Sequence, residues 1–135
     1  MREILFRGKR IDKNNPANNG KWFEGVYFPK DDITPAIIYG GTRHNHGVFV
    51  DPETVGQYTG LTDKNGKRIF EGDVCLNTKT GEIVAVKWSG VFAGFVWHKP
   101  KKENSKLFDF GELYRVSDKF EVIGNIHDNP ELLKR

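Results

Sequence analysis

Histidine is the residue type in this sequence best suited to bind a metal ion, and His44 and His46 stand two positions apart. In an extended segment that spacing directs both side chains to the same side, an arrangement that zinc sites use. A zinc site needs three or four converging ligands, but the chain has one cysteine and no H-E-x-x-H spacing. We therefore predict that these histidines belong to a polar loop, and we predict no metal site and no cofactor.

Two carboxylates, Glu71 and Asp73, flank Gly72 and are the best candidates for an acid and base pair. No partner base is predicted beside them, and a glycine between two acids is typical of a chain that turns a corner between strands. Cys75 stands between apolar neighbours, which indicates a buried small side chain or a bystander and not a nucleophile. The sequence therefore predicts a protein that is not an enzyme, and a hydrolytic enzyme is the third function class considered.

The segment 60–67 imitates two ligand-binding loops. Five residues instead of the four of a phosphate loop separate its two glycines, and Arg68 follows Lys67 in place of a magnesium-binding hydroxyl. A calcium loop beginning at Asp63 would require a bidentate Glu at the position of Val74. Both interpretations fail, and a hairpin turn is the remaining one.

The dipeptide Asn65-Gly66 is the strongest turn signal in the chain, since Asn-Gly suits the positive φ angles of a tight hairpin. It separates two segments with extended character, Gln57 to Leu61 and Lys67 to Phe70. We predict a β-hairpin with a positive φ at Gly66. The chain from Lys67 to Leu76 should be extended, with a corner at Glu71-Gly72-Asp73.

Upstream of the hairpin, Asp51, Pro52 and Glu53 have the order of a helix start, and Gly56 limits the element to a short helical turn. The other apolar segments are short, β-branched or aromatic, and bounded by loops rich in Gly, Pro and Asn, so they are predicted strands. These strands cover residues 2–10, 21–28, 36–39, 48–50, 74–76, 83–88, 95–97, 107–110 and 120–126. A short helix capped by Asn129 is predicted over residues 130–134.

The short strands and tight turns indicate a mainly β fold. We predict a small SH3-like barrel or sandwich in the C-terminal half, an additional N-terminal sheet, and short helical turns. The 13% aromatic content and the 15 glycines favour strands and turns over long helices. Because 135 residues suffice for one ordinary core, we predict one domain over residues 1–135, with possible lobes 1–60 and 61–135 that share a core.

Two groups of residues are candidates for a binding surface. The cluster Gln57, Tyr58 and Thr59 either packs beneath the hairpin or forms a recognition surface. Strand 21–28 has apolar side chains on both parities, with Trp22 on one and Tyr27 on the other, which indicates a strand that is covered on both faces or lies at an interface. We predict a protein that binds an unknown protein partner and that can form a homo-oligomer.

Basic residues cluster at two places, although 21 basic residues and 18 acidic residues leave a net charge of only +3. If the two clusters formed one stripe near Trp97 and Tyr27, bases could stack on the rings while the cations neutralised phosphates. The second cluster lies in a loop with Glu, Asn and Ser, so we expect the clusters on different faces. A small-barrel nucleic-acid-binding module is the alternative function, and its candidate residues are Arg7, Lys9, Arg10, Lys99, Lys101 and Lys102.

Cysteine usage and hydropathy indicate a compartment. A single cysteine, Cys75, cannot form an internal disulfide, and the chain opens with Met-Arg-Glu instead of an apolar signal segment. No apolar run approaches the length that crosses a bilayer. We expect a cytoplasmic protein without a membrane partner.

Residues 54–61 read T-V-G-Q-Y-T-G-L and lead through D-x-N-G to the E-G-D corner at residues 71–73. This pattern resembles the signature of the YopX-like family of phage and prophage proteins. The start of the chain, over residues 2–9 and 22–25, and its end, over residues 122–126 and 129–133, also resemble that family. The resemblance implies an accessory protein of phage or prophage type, in a bacterial host cell, with no settled activity. Together with the residues above, it predicts a function in binding without catalysis.

Overall fold

The computed structural model describes residues 4–12, 14–28, 36–39, 47–90, 94–98 and 119–134. Within these residues the secondary structure consists of ten β-strands and three short 3-10 turns, without an α-helix. The prediction of a mainly β fold is therefore confirmed. The chain divides into two compact units, Met1–Tyr58 and Thr59–Arg135. The strand predicted over residues 107–110 lies outside the described residues.

An antiparallel sheet forms the first unit. Its strands are β1 (Phe6–Lys9), β2 (Trp22–Phe28), β3 (Ala36–Tyr39), β4 (Val48–Val50) and the beginning of β5 (Gly56–Thr62). Their order in the sheet is β4-β3-β2-β1-β5. The four predicted strands of the N-terminal sheet are thus confirmed, and the register places Lys9 opposite Trp22 and Gly8 opposite Phe23.

The end of β4 returns to the chain that follows β1. Arg10 and Val50 form an isolated antiparallel bridge, and the Ile11 amide donates to the Phe49 carbonyl at 2.8 Å. These contacts require the sheet to curl, because β4 also pairs with β3 on its other side. The curl forms the small core of this unit on one face of the sheet.

Val50 is fully buried at the centre of that core, and Tyr27, Val48 and Val55 pack against it. The ring of Phe6 lies 5.2 Å from the ring of Tyr27, centroid to centroid. Side chains alternate between the two faces along each strand, so these apolar side chains share one face of the sheet, and residues of opposite parity lie on the other face.

The predicted helical turn after β4 is confirmed as a 3-10 turn, Pro52–Thr54. The Asp51 carboxylate accepts a hydrogen bond from the Glu53 amide at 3.0 Å, and proline fills the first position. The Thr54 hydroxyl donates to the Asp51 carbonyl at 2.6 Å and accepts from the Lys9 amide at 2.9 Å. The turn thus both ends β4 and attaches to the end of β1.

The second unit begins with the predicted hairpin, formed by the end of β5 and by β6 (Arg68–Phe70). The Gly66 amide donates to the Asp63 carbonyl at 3.0 Å, and the Asp63 amide donates to the Lys67 carbonyl at 2.7 Å. Gly66 has a φ of 81°. The turn and the positive φ are confirmed, and the loop has the form of a type I turn followed by a left-handed residue.

Substitution of Gly66 by valine is expected to destabilise the protein by about 1–2 kcal/mol, because a β-branched L residue resists the left-handed conformation. No atom lies within 4 Å of the position that a Cβ would occupy, so backbone strain is the sole cause. Gly90→Val is the matched control, since Gly90 also has open space around it and has no positive φ. Thermal unfolding of both variants measures the difference, and equal melting temperatures would contradict the turn geometry.

Four strands form the second sheet: β7 (Asp73–Asn77), β8 (Ile83–Ser89), β9 (Gly94–His98) and β10 (Phe120–Asn125). All neighbours are antiparallel, in the order β10-β7-β8-β9, and a register shift interrupts the β10 ladder between Val122 and Gly124. In the part of the chain that the structure describes, no ladder joins β9 to β10. The described strands therefore form an open sheet and not a closed barrel.

One core cluster of the second unit lies on one face of this sheet and includes Ile69 from the hairpin. Val74, Ala85 and Val96, of the opposite parity, are buried as well. Trp97 is 1% exposed, and its ring stacks on Phe120 at 4.3 Å between centroids. Trp88 has the parity of the core residues on β8 but is 52% exposed, and its ring meets Phe95 edge-on. The buried residues of this cluster are Ile69, Cys75, Val84, Val86, Phe95, Trp97 and Phe120, with Leu61 and Val122 packed against them.

After β10 the chain forms a 3-10 turn, Pro130–Lys134, where a short helix is predicted. The side-chain oxygen of Asn129 accepts a hydrogen bond from the Asn125 amide at 3.3 Å, so it bonds back to the strand.

The described residues contain no helix of the length and hydrophobicity that crossing a membrane would require.

Candidate interaction surface

Trp22 on β2 is covered by two cations from β1. The Arg7 guanidinium carbon lies 4.7 Å from the centroid of the indole ring, and the Lys9 ammonium nitrogen lies 5.6 Å from it. Both distances are within the range of cation–π attraction. Trp22 is half-buried.

Phe23 points to the opposite face of β2 and has a cation of its own. The guanidinium carbon of Arg10 lies 5.7 Å from the Phe23 ring centroid, and the same guanidinium forms a salt bridge of 3.4 Å with Asp12. Arg7 and Lys9 on one face and Arg10 on the other therefore do not form a single basic stripe. The adjacent rings of Trp22 and Phe23, which lie on opposite faces of β2, are thus each covered by a side chain with a long aliphatic stem and a charged end.

An exposed apolar area lies on the same face as Trp22. Val26 on β2 is 54% exposed and Phe49 on β4 is 48% exposed. The register sets Val26 opposite Tyr39, and Ile37 opposite Phe49, so these positions share one face of the sheet. We call this surface the Val26 face, and its described members are Trp22, Glu24, Val26 and Phe49, with Arg7 and Lys9 over the indole.

Tyr27, the other candidate binding residue on β2, lies on the face opposite Trp22 and belongs to the core of the first unit. It packs against Val50 and lies beside Phe6, so it is half-buried by its own chain. Of the two candidates on β2, only Trp22 lies on the Val26 face.

The cluster Gln57, Tyr58 and Thr59 is largely internal. Tyr58 is 8% exposed and its amide donates to the Leu5 carbonyl at 2.7 Å. Thr59 is fully buried, and its hydroxyl donates to the Ile69 carbonyl at 2.8 Å. Gln57 is half-buried and pairs with Phe6. The polar groups of this cluster therefore satisfy backbone partners, and Gln57 is the member most accessible to a ligand.

Asp63 is a buried carboxylate that sequence reasoning assigned only to the turn. One oxygen accepts from the amides of Asn65 and Lys67 at 2.8 Å and 2.9 Å, and the other accepts from the Val122 amide at 2.9 Å. Burial by itself would raise the pKa of Asp63, but the three amides and the charge of Lys67 outweigh it and hold the pKa below its ordinary value. Asp63 therefore joins the hairpin to β10 as an ionised hydrogen-bond acceptor.

Asp73 has a similar structural function at the Glu71-Gly72-Asp73 corner. It is 1% exposed, and one carboxylate oxygen accepts from the Phe70 amide at 2.7 Å. Gly72 has a φ of 91°, and its amide donates to the Val86 carbonyl at 2.8 Å. This carboxylate contributes to the turn between β6 and β7.

Histidine and cysteine side chains are the remaining groups that could bind a metal ion or act in catalysis. His44 and His46 lie outside the described residues. Burial, together with the charge of Lys87, lowers the pKa of His98 below its ordinary value. Cys75 is buried in the core of the second unit. Among the described residues no three His, Cys, Asp or Glu side chains are grouped so that they could hold a metal ion.

The structure describes only some of the residues proposed to bind nucleic acid, because Lys99, Lys101 and Lys102 lie outside the described residues. Trp97, which could have stacked on a base, is buried against Phe120 and presents no free ring face. Trp97 is therefore not available to stack on a base.

The sequence matches a family model described as YopX protein over residues 6–134. Curated proteins give no match. The fold is similar to the crystal structure of protein EF1440 from Enterococcus faecalis, with a TM-score of 0.56 and 24% sequence identity. That alignment covers 98% of this chain and 99% of the other chain. At this level of identity the likeness concerns the fold alone.

Proposed function

The chain belongs to the YopX protein family, and we propose that it is a non-catalytic binding protein that acts by protein–protein contact, including contact with a second copy of itself. Family membership fits an accessory protein of phage type. Its compartment, in this proposal, is the cytoplasm of the bacterial host, in keeping with the single reduced cysteine.

The exposed apolar pair on the Val26 face is the observation that carries the proposal. Val26 and Phe49 are each about half exposed, on strands whose other face forms a core. On the same face, the half-buried Trp22 ring lies beneath the cations of Arg7 and Lys9. Aromatic and arginine side chains of this kind dominate binding energy at protein interfaces.

The buried carboxylates support the non-catalytic part of the proposal. Asp63 uses both of its carboxylate oxygens, and Asp73 one of them, to accept backbone amides within the fold. A general base must reach a proton of the substrate, and both carboxylates are buried at turns of the fold.

The double variant Val26→Glu and Phe49→Glu is expected to abolish self-association in sedimentation velocity at micromolar concentrations. Both side chains are exposed, so the melting temperature should change little, by the equivalent of about 0.5 kcal/mol or less per site. Trp88→Thr is the control, because Trp88 is an equally exposed apolar residue that belongs to the second unit and is not a member of the Val26 face. This control should associate like the wild-type chain.

The proposal fails if the wild-type chain is strictly monomeric and a bacterial lysate yields the same bound proteins with the wild type and the double variant. The nucleic-acid alternative predicts a different result. A random single-stranded oligonucleotide would then bind at physiological salt, and Lys101→Glu with Lys102→Glu would remove that binding.

A further inference from the structure

The chain contains two Asn-Gly dipeptides, Asn19-Gly20 and Asn65-Gly66, whose backbones have nearly the same setting. The glycines have φ angles of 83° and 81°, and neither has an atom within 4 Å of the position that a Cβ would occupy. Each glycine amide donates a hydrogen bond, from Gly20 to the Arg10 carbonyl at 3.2 Å and from Gly66 to the Asp63 carbonyl at 3.0 Å. The two glycines thus have similar φ angles and open surroundings, whereas the asparagine side chains before them differ.

The side chain of Asn19 is held in place by the loop around it. Its oxygen accepts a hydrogen bond from the Asp12 amide at 2.6 Å. The Asp12 carboxylate in turn accepts from the amides of Asn14 and Asn15, at 2.9 Å and 3.0 Å. Rotation of the Asn19 carboxamide toward the Gly20 nitrogen would therefore break a short hydrogen bond.

The side chain of Asn65 is exposed at the tip of the hairpin, and none of the described residues forms a hydrogen bond with its carboxamide. The Asn65 amide is held by Asp63 at 2.8 Å, which leaves the side chain as the part of the residue that is free to rotate. We propose that Asn65-Gly66 is a site of spontaneous deamidation and isoaspartate formation, and that the fold protects Asn19-Gly20 from the same reaction.

The reaction requires no group beyond the chain and water. The Gly66 nitrogen releases the Asp63 carbonyl, loses its proton to solvent and attacks the side-chain carbonyl carbon of Asn65. A carbon–nitrogen bond forms to that carbon, the bond to the side-chain nitrogen breaks, and ammonia leaves with a proton from solvent. Water then opens the cyclic imide at one carbonyl to give aspartate or at the other to give isoaspartate. The net change is water consumed and ammonia released, without oxidation or reduction.

Isoaspartate at position 65 would lengthen the backbone by one methylene between the Asn65 and Gly66 positions. The Gly66 and Lys67 amides would then move relative to the oxygens of Asp63 that accept them. The reaction also adds a carboxylate near the ionised Asp63, and like charges repel. The modified chain should therefore have a looser hairpin and a lower melting temperature than the unmodified chain.

Incubation of the folded chain at mildly alkaline pH, followed by peptide mapping with an isoaspartate assay, tests the proposal. Asn65 should deamidate about tenfold faster than Asn19, the factor that corresponds to one hydrogen bond of about 1.4 kcal/mol. In urea, where neither loop is formed, the two rates should be similar. Asn65→Gln should suppress most of the deamidation of the folded chain, whereas the control Asn19→Gln should leave it unchanged.

Equal rates at the two sites in the folded chain would overturn the proposal. A faster reaction at Asn19 would do so as well. If Asn65 reacted in urea and not in the folded chain, the hairpin would be protective and the assignment of the labile site would be wrong.

Discussion

Asp63→Ala is expected to lower the free energy of unfolding by about 3 kcal/mol, and the melting temperature by roughly 10 °C. The substitution leaves three backbone amides, those of Asn65, Lys67 and Val122, without the carboxylate that accepts them. The first two belong to the hairpin loop and the third to β10, so both the loop and its attachment to the sheet are weakened. Thermal and urea unfolding measure the effect.

Asp51→Ala is the matched control for this prediction. The Asp51 carboxylate accepts the Glu53 amide at the start of the 3-10 turn, in an exposed position. Loss of such a cap costs about 1 kcal/mol. An effect of Asp63→Ala no larger than that of Asp51→Ala would show that the buried carboxylate does not join the hairpin to β10.

The contribution of Asp63 should also depend on pH in a defined direction. In the folded chain the pKa of Asp63 lies below its ordinary value of 3.8. The stabilisation by the Asp63 carboxylate is therefore fully present above that ordinary value and is lost as the pH falls through the pKa of Asp63 in the folded chain. Asp63→Asn retains one oxygen acceptor but cannot ionise. The stability difference between wild type and Asp63→Asn should therefore shrink in acid.

Gly124→Val is expected to lower the free energy of unfolding by about 3 kcal/mol, at the upper end of the cost of overpacking. A Cβ at Gly124 would lie 2.6 Å from the side-chain oxygen of Asn129 and 2.9 Å from a methyl carbon of Leu132. Valine would displace both side chains and with them the 3-10 turn Pro130–Lys134. It would also disturb the bond from the Asn125 amide to Asn129.

Gly90→Val again serves as the control, because a Cβ at Gly90 meets no atom within 4 Å. Its stability should lie within about 0.5 kcal/mol of the wild type. Leu132→Ala combined with Gly124→Ala should cost less than the sum of the single variants, since the smaller residue vacates the space that the new Cβ needs. Strict additivity would contradict the close approach of the C-terminal turn to β10.

Two turns of this protein, the hairpin loop and the 3-10 turn Pro52–Thr54, are encoded in short stretches of sequence, and the structure confirms both. In the hairpin, Asp63 bonds to amides two and four residues further along the chain, and Gly66 takes the left-handed conformation. Before the first 3-10 turn, Asp51 bonds to the amide of Glu53. Such bonds depend on side-chain chemistry and chain connectivity alone, so residue order is sufficient to predict them.

The composition of the Val26 face could not be predicted from residue order alone. Alternation predicted two sets of side chains on β2, but only the register between β1 and β2 decided that Arg7 and Lys9 cover Trp22. Alternation likewise set Trp88 on the core side of β8, yet it is exposed, because parity specifies the direction of a side chain and not how far the covering layer extends.

The hydrogen bonds of Asp63 include some that the local sequence determines and one that depends on the tertiary structure. The sequence by itself determined the hairpin and its left-handed glycine, because the bonds to Asn65 and Lys67 close within a few residues. Only the tertiary structure decided that the second carboxylate oxygen accepts the amide of Val122, 59 residues away. That contact depends on where the register shift in β10 presents a backbone amide, and this follows from the packing of whole strands. The same packing decides which apolar side chains, Val26 and Phe49 among them, are left on the surface.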